Sequence, residues 1–406
     1  MANVVTAFLR NRGEVLLVRR SDAVGTYRGR WGGVSGYVEG DTDDPVEEAY
    51  REVEEEVGIG PEALTFVRAG DTVRVDDEEG EFTVHPLLFD CATREVTPNE
   101  ELAAHEWVPA TAMLERETVP KLWGAYRAVG PTVESVRDDD VHGSATISVR
   151  ALETLRDEAA VAASWDAVAA TARDLRDARP GMAAVGNRVS RVLAEADRRP
   201  EAVRERAIEA VADAVDADDR AAATAAALLD GPVLTLSRSG TVAAALADHD
   251  GPVLVAESIP GGEGREVAAE LAAGADRTVT LLPDAAVASA VAERDVAATL
   301  VGADTVLPDG DVANKVGTRG LALAAAYEGV PVYAVAARDK VAGEGGFRPE
   351  STTYEVPEGV DAYAPLFDRT PADLVTVVTE DGPLDADAVH DVAAEHRVLA
   401  EWDEGD

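Results

Sequence analysis

Apolar runs at residues 4–9 and 15–18 flank Asn11-Arg12-Gly13, a pattern that predicts a β-hairpin. A glycine-rich loop, Trp31-Gly32-Gly33-Val34-Ser35-Gly36, comes next. It leads into a stretch of helical periodicity over residues 45–57, with Pro45 at its start and Gly58 just past its end. Strand-like runs at 64–67, 72–75, 82–89 and 106–108 follow, then a last helix near 110–114 or 121–129. These elements predict a compact α/β domain spanning residues 1–129.

Residues 131–140 read as a linker ending in Asp138-Asp139-Asp140. A helical subdomain over 138–230 then shows Ala/Arg/Glu-rich helical periodicity with almost no β-branched runs. After Asp230-Gly231-Pro232 the texture changes. Short apolar runs at 233–236, 253–256, 278–282, 298–301, 332–336 and 375–378 alternate with alanine-rich helical stretches, which predicts a Rossmann-like, doubly wound parallel sheet over 231–406.

Composition narrows the class. At 406 residues the chain is too long for one ordinary core. Its 78 acidic residues against 37 basic ones give a net charge of −41, and its only lysines are Lys121, Lys315 and Lys340. Such a surface suits molar salt, where charge repulsion is screened over ~3 Å. Direct nucleic-acid binding is disfavoured, because phosphate backbones are met by clustered Lys and Arg. The single cysteine, Cys91, excludes a disulfide framework or a multi-cysteine zinc site. No membrane span and no signal-peptide core are evident, so the expectation is a cytoplasmic protein.

The first chemical constellation lies on the predicted first helix. Glu52, Glu55 and Glu56 fall at i, i+3 and i+4, so their carboxylates share one face. A glutamate-rich helix alone is a solvated acidic face; behind a glycine-rich loop it becomes a candidate seat for a hard divalent cation, Mg²⁺ or Mn²⁺. Arg51 can orient the glutamates through charge-assisted hydrogen bonds. The run Arg51-Glu52-Val53-Glu54-Glu55-Glu56-Val57-Gly58-Ile59 resembles the Nudix box, G-x5-E-x7-R-E-U-x-E-E-x-G-U with U apolar. Upstream the chain departs from it: Asp43 stands at the usual glutamate, and one extra residue separates Gly36 from Arg51. The resemblance implies a mixed-sheet α/β/α sandwich that hydrolyses a nucleoside diphosphate derivative. Arg51, Glu52, Glu55 and Glu56 would serve catalysis, the three glutamates holding the metal. Glu100 or Glu101 would supply a further acidic group. His85 and His105 read as structural, and Cys91 as core.

The second constellation lies beyond predicted strand ends. Gly302-Ala303-Asp304 ends one strand, Asn314-Lys315-Val316-Gly317-Thr318 looks like a helix opening suited to phosphate, and Lys340 follows the next strand. With His142-Gly143-Ser144-Ala145, Ala178-Arg179-Pro180, Leu234-Thr235-Leu236-Ser237-Arg238-Ser239, Glu257, Glu263-Gly264 and Thr379-Glu380-Asp381-Gly382, these motifs resemble a family spanning several activities. It comprises ribose-1,5-bisphosphate isomerase, methylthioribose-1-phosphate isomerase and the initiation factor 2B alpha, beta and delta subunits. The resemblance implies that His142, Gly143, Arg179, Ser237, Ser239, Asn314, Lys315 and Lys340 bind a sugar phosphate or nucleotide. Asp304 would take the isomerases' acid position, and the part would self-associate into a homo-oligomer. Ser237 stands where the isomerases carry their catalytic cysteine, and a hydroxyl without a neighbouring base does not replace a thiol. Ile259 stands where many relatives have arginine. The expectation is therefore a hydrolase fused to a sugar-phosphate- or nucleotide-binding domain. An isomerase with an unorthodox site, or a non-catalytic regulatory subunit of the initiation-factor type, is the alternative.

Overall fold

The computed structural model describes residues 2–38, 44–274 and 277–403. Asp43, which stands at the motif's usual upstream glutamate, lies outside them. The chain divides into two compact units: Met1–Thr132 with Arg156–Val161, and Val133–Leu155 with Ala162–Asp406. Among the described residues no helix is long and apolar enough to cross a membrane.

The first unit is built on one mixed sheet. Its strands are β1 (Ala2–Asn11), β2 (Glu14–Arg20), β3 (Trp31–Gly32) and β4 (Val34–Tyr37), then, after helix α1 (Pro45–Val57), β5 (Leu64–Ala69), β6 (Val73–Asp77), β7 (Gly80–Cys91) and β8 (Leu102–Val108). A 3₁₀ turn at Ala110–Leu114 and helix α2 (Leu122–Arg127) close the unit, so both sites considered for the last helix are helical. β1 pairs in parallel with β7 and antiparallel with β2 and β4. Alternation along β1 sorts its side chains by layer. Val5, Ala7 and Leu9 pack with Ala49, Val53 and Val57 of α1, while Phe8 packs with Leu122, Ala125 and Tyr126 of α2. Cys91 is buried in the first of these cores, and its thiol donates to the Thr93 carbonyl.

The second unit begins earlier than its sequence suggests. The stretch read as a linker contains helix α3 (Val133–Arg137), because Val136 is buried and Arg179 Nε donates to its carbonyl at 3.0 Å. Helices α4 (Ser144–Ala159), α5 (Trp165–Ala178), α6 (Ala183–Glu195) and α7 (Pro200–Ala226) follow. Strand and helix then alternate: β9 (Val233–Leu236), α8 (Gly240–Leu246), β10 (Val253–Ala256), α9 (Gly264–Gly274), β11 (Val279–Leu282), α10 (Val287–Glu293) and β12 (Ala298–Gly302). The chain continues through β13 (Thr305–Val306), β14 (Val312–Lys315), α11 (Thr318–Glu328), β15 (Val332–Val335), β16 (Phe367–Thr370), β17 (Thr376–Thr379), β18 (Gly382–Leu384) and α12 (Ala386–Ala400).

Six of these strands form a parallel sheet in the order β11-β10-β9-β12-β15-β17, with β18 added antiparallel. The order reverses between β9 and β12, the place where doubly wound sheets open a crevice for ligands. Both faces are covered. Val287, Leu321 and Val389 of α10, α11 and α12 lie in one core, and Ala221, Val242 and Val267 of α7, α8 and α9 in the other. A separate sheet, β13-β14-β16, was not expected from the sequence.

Candidate functional sites

In the first unit α1 opens with Asp44 capping the Val46 N–H (2.9 Å) and Pro45 in its first turn. It closes on Gly58, whose left-handed backbone (φ 69°) lets its N–H donate to Glu54. This fixes the rotation of the helix, and with it the direction of each glutamate. Glu56 is 4% exposed, with the Ser35 backbone favouring its charged form; Glu52 lies against Gly36, where any Cβ would overlap its carboxylate. Arg51 binds Glu48 and reaches Glu52 Oε1 at 2.7 Å and Glu55 Oε1 at 2.9 Å.

Burial dominates the electrostatics. It pushes the Glu56 carboxyl up to about 8, with the Glu52 charge adding to it, Arg20 opposing and Glu101 adding further. Glu52 is pushed up to about 7, again by burial first, with Arg51 pulling against it and Glu48 and Glu55 reinforcing it. Two desolvated carboxylates that repel each other are what an oxygen-ligated cation neutralises, so Glu52 and Glu56 fit a hard divalent ion.

The expected trio is not pre-gathered, however. Glu55 turns outward, with its side chain 56% exposed, and is held by Arg51. Among the described residues no three acidic or histidine side chains form a ready cation cage. Glu55 joins the other two only by leaving Arg51. Glu48, passed over in the sequence, is the fourth member; its i, i+3 spacing to Arg51 was the available signal. Of the two loop acids, Glu101 is the one whose charge reaches Glu56. His85 faces Asn3 Oδ1 (3.3 Å), and His105 sits on β8 opposite Val18.

In the second unit all nine residues singled out from the sequence line one cavity of about 340 Å³. Ser237 and Ser239 follow β9, Asp304 follows β12, Asn314 and Lys315 end β14, and Lys340 follows β15. His142, Gly143 and Arg179 come from the helical segment. Ser237 adopts a left-handed backbone (φ 61°), held by its N–H donating to Ser258 Oγ (2.6 Å). Ser258 and Ile259 in turn donate their N–H groups to Asp284 (2.7 Å each). A Cβ at Gly302 would stand 2.8 Å from Ser239 Oγ, so glycine there makes room for that hydroxyl.

Two expectations change. Asn314 and Lys315 lie on a strand rather than opening a helix, and the N-terminus of α11 is already filled: Asp368 accepts the N–H groups of Gly317 (2.8 Å) and Arg319 (3.1 Å). Lys315 Nζ is 2.6 Å from Glu263 Oε1, a partner that also lines the cavity. Arg179 spends its guanidinium on the backbone carbonyls of Val136 and Asp139 and so shapes the wall. His142 is paired with Asp139 (2.9 Å). Burial pushes the Asp139 carboxyl up, but hydrogen bonds from the His142 ring and backbone outweigh it and bring the group down to about 2. Ile259 is not among the lining residues. Glu350 and Thr352, from the long segment after β15, line the cavity and carried no sequence signal.

Comparison with known proteins matches residues 1–129 to the NUDIX domain and residues 140–386 to the initiation factor 2 subunit family. A methylthioribose-1-phosphate isomerase from Gemmatimonas aurantiaca is 32% identical over 232 residues, which is 50% of this chain and 67% of that protein. One from Geobacillus thermodenitrificans is 34% identical over 125 residues, 27% of this chain and 35% of its own length. The chain thus spans only about a third of some curated relatives. Among solved structures, the translation initiation factor eIF-2B of Pyrococcus horikoshii OT3 aligns with a TM-score of 0.55 and 24% identity, covering 62% of this chain and 94% of the other. The 5-methylthioribose 1-phosphate isomerase of the same organism aligns with a TM-score of 0.52 and 20% identity, covering 74% and 90%. These structural likenesses establish the fold of the second unit.

Proposed function

The chain belongs to the initiation factor 2 subunit family and carries a NUDIX domain ahead of that part, and on this footing we propose a cation-dependent phosphohydrolase joined to a sugar-phosphate-binding unit. The substrate of the first unit is a nucleoside diphosphate linked to another group, cleaved at its diphosphate with Mg²⁺ or Mn²⁺. The observation that carries this reading is the desolvation of two neighbouring carboxylates, Glu56 buried beside Ser35 and Glu52 mostly covered against Gly36.

Glu52 and Glu56, joined by Glu55, would hold the cation, which supplies charge neutralisation for diphosphate oxygens and a bound water of lowered pKa. Arg51 keeps the outer carboxylates spread until ligand binding draws Glu55 in. Glu101, whose charge reaches Glu56, is favoured over Glu100 as the acceptor of the water proton.

The second unit binds a phosphorylated pentose or a nucleotide, the phosphate meeting Lys315 and Ser239 and the sugar lying toward Asp304. Release of a pentose phosphate by the first unit would supply such a ligand. Self-association through this unit, and work in molar salt inside the cell, belong to the same reading.

The test is a screen of nucleoside diphosphate sugars, ADP-ribose among them, in molar KCl with Mg²⁺ or Mn²⁺, products identified by mass. Wild type should cleave a diphosphate linkage and Glu56→Gln should not. Cleavage of no derivative, or cleavage unaffected by that substitution, overturns the hydrolase reading.

A further inference from the structure

We infer that Asn99 is a positioning residue that fixes Glu101 to the end of α1, so that the acceptor of the water proton and the buried carboxylates of that helix are held as one part. This rests on the hydrolase reading of the first unit and adds to it the residue through which Glu101 is aimed.

The cause lies in how α1 ends. A helix leaves its last carbonyls without partners inside the helix. Those of Glu56 and Val57 are met by the loop before β8: the Asn99 N–H donates to the Glu56 carbonyl at 3.0 Å and the Thr97 N–H to the Val57 carbonyl at 2.8 Å. Gly58 permits this approach, since a Cβ there would stand 3.0 Å from Thr97 Cβ. The loop that carries Glu101 is therefore seated on the backbone of Glu56 itself.

From that seat Asn99 turns its side chain forward. Asn99 Oδ1 accepts the Glu101 N–H at 2.9 Å, a local turn that asparagine side chains favour. On the other side the Glu101 carbonyl accepts the Ser21 N–H at 2.7 Å, and Ser21 Oγ donates to the Glu100 carbonyl at 2.8 Å. Glu101 is thus held at both its N–H and its carbonyl, one by Asn99 and one by the residue that follows β2. The strand register shifts at the same place: Arg19 lies opposite Ala104 but Arg20 opposite Leu102, the kind of irregularity that re-aims a chain beside a site. Glu101 itself is exposed while its charge reaches Glu56, so its backbone is fixed and its carboxylate stays open to water.

In the hydrolytic step Glu101 takes one proton of the water as its oxygen bonds to phosphorus, and the bridging P–O bond breaks onto the leaving phosphate. A proton acceptor misplaced by about 1 Å costs on the order of 100-fold in rate. Asn99 has that leverage without touching substrate.

The test measures kcat and KM of the full chain in molar KCl with Mg²⁺, on ADP-ribose and the other nucleoside diphosphate sugars of the screen. Mg²⁺ affinity is read from the cation dependence of the melting temperature. Glu101→Gln should lower kcat about 100-fold and Asn99→Ala about 10–100-fold, with KM and Mg²⁺ affinity within about 3-fold of wild type. Asn99→Ser, whose hydroxyl can accept the same N–H, should recover kcat to within about 3-fold of wild type. Added to Glu101→Gln, Asn99→Ala should cost less than about 3-fold more, because it acts only through Glu101. A merely structural asparagine would lower kcat by the same factor in both backgrounds. Wild-type turnover by Asn99→Ala or by Glu101→Gln, equal losses in Asn99→Ser and Asn99→Ala, or additive losses in the double variant overturns the positioning role and leaves the hydrolase reading standing. Wild type that cleaves none of the sugars overturns both.

Discussion

Gly36 on β4 and Glu52 on α1 are fitted to each other: a Cβ on Gly36 would occupy the space of the Glu52 carboxylate. The strand is pinned by its register with β1, where Gly36 lies opposite Val5, and the helix by its packing on the same sheet. Both elements are held by the sheet, so the absent side chain is what lets the carboxylate rest on the strand.

Replacing Gly36 by alanine should therefore displace Glu52 and slow diphosphate hydrolysis by about 100-fold, the order expected for a misplacement of about 1 Å. The overall melting temperature should move little. Steady-state turnover with saturating Mg²⁺, measured beside a thermal melt, checks this; unchanged turnover would refute the fitted-pair account.

Glu55 differs from its neighbours in being exposed. Glu55→Gln removes no buried contact, so folding in molar salt should be intact while kcat falls by about 100–1,000-fold, the order for loss of one group that stabilises transition-state charge, here through the cation it would hold. Circular dichroism and turnover on the same preparation separate the two effects.

Glu52 and Glu56 take up protons near 7 and 8 in the folded protein, against about 4.3 for an unperturbed glutamate. Because the folded values are raised, the cation-free protein carries its full stability from this pair below about pH 4. It loses that stability as pH climbs through 8, since the unfolded chain then holds fewer protons. A divalent cation competes with those protons. Adding Mg²⁺ should raise the melting temperature more at pH 8.5 than at pH 6, and chelation should reverse the gain. An equal shift at both pH values would argue against these carboxylates as ligands.

Asp339 is the hub of a buried charge cluster, with Arg188 Nε and Arg191 Nη2 both at 3.1 Å and His396 Nε2 at 3.7 Å. Burial disfavours its charge, but the bond to His396 and the two guanidiniums hold it far below the usual aspartate range. A depressed carboxyl contributes stability above its unfolded value of about 3.9 and loses it only as pH falls toward the folded one. Asp339→Asn should destabilise the second unit by about 1–3 kcal/mol, because it leaves buried Arg188 with Asp218 and part-buried Arg191 with Glu395 as their remaining carboxylate partners. Urea titration at constant molar KCl reads it directly.

Lys315→Met should weaken ribose 5-phosphate binding about 10–100-fold through loss of a charged hydrogen bond, and should leave hydrolysis by the first unit unchanged. Calorimetry and turnover distinguish this from general damage.

Much of the architecture was legible along the chain because it depends on local pattern. The β1–β2 hairpin, the bounds of α1 and the six parallel strands follow from alternation, capping residues and short apolar runs. Missed were α3, a short helix in an acidic stretch that buries Val136 alone of its residues, and the β13-β14-β16 sheet, whose third strand comes from far along the chain. The helical spacing of Glu52, Glu55 and Glu56 likewise announced a shared face, but not that Arg51 would draw Glu55 outward.

The residues alone determined which chemical groups are present and at what spacing: a glutamate helix behind a glycine loop, and rare lysines near strand ends. Tertiary structure decided which of them work together. Burial is set by every element packed around a group, so it separates Glu56 from Glu55, and the Glu263 carboxylate separates Lys315 from Lys340, although each pair shares one side-chain chemistry. It also gave the N–H groups at the start of α11 to Asp368, a choice that no stretch of sequence around Gly317 contains.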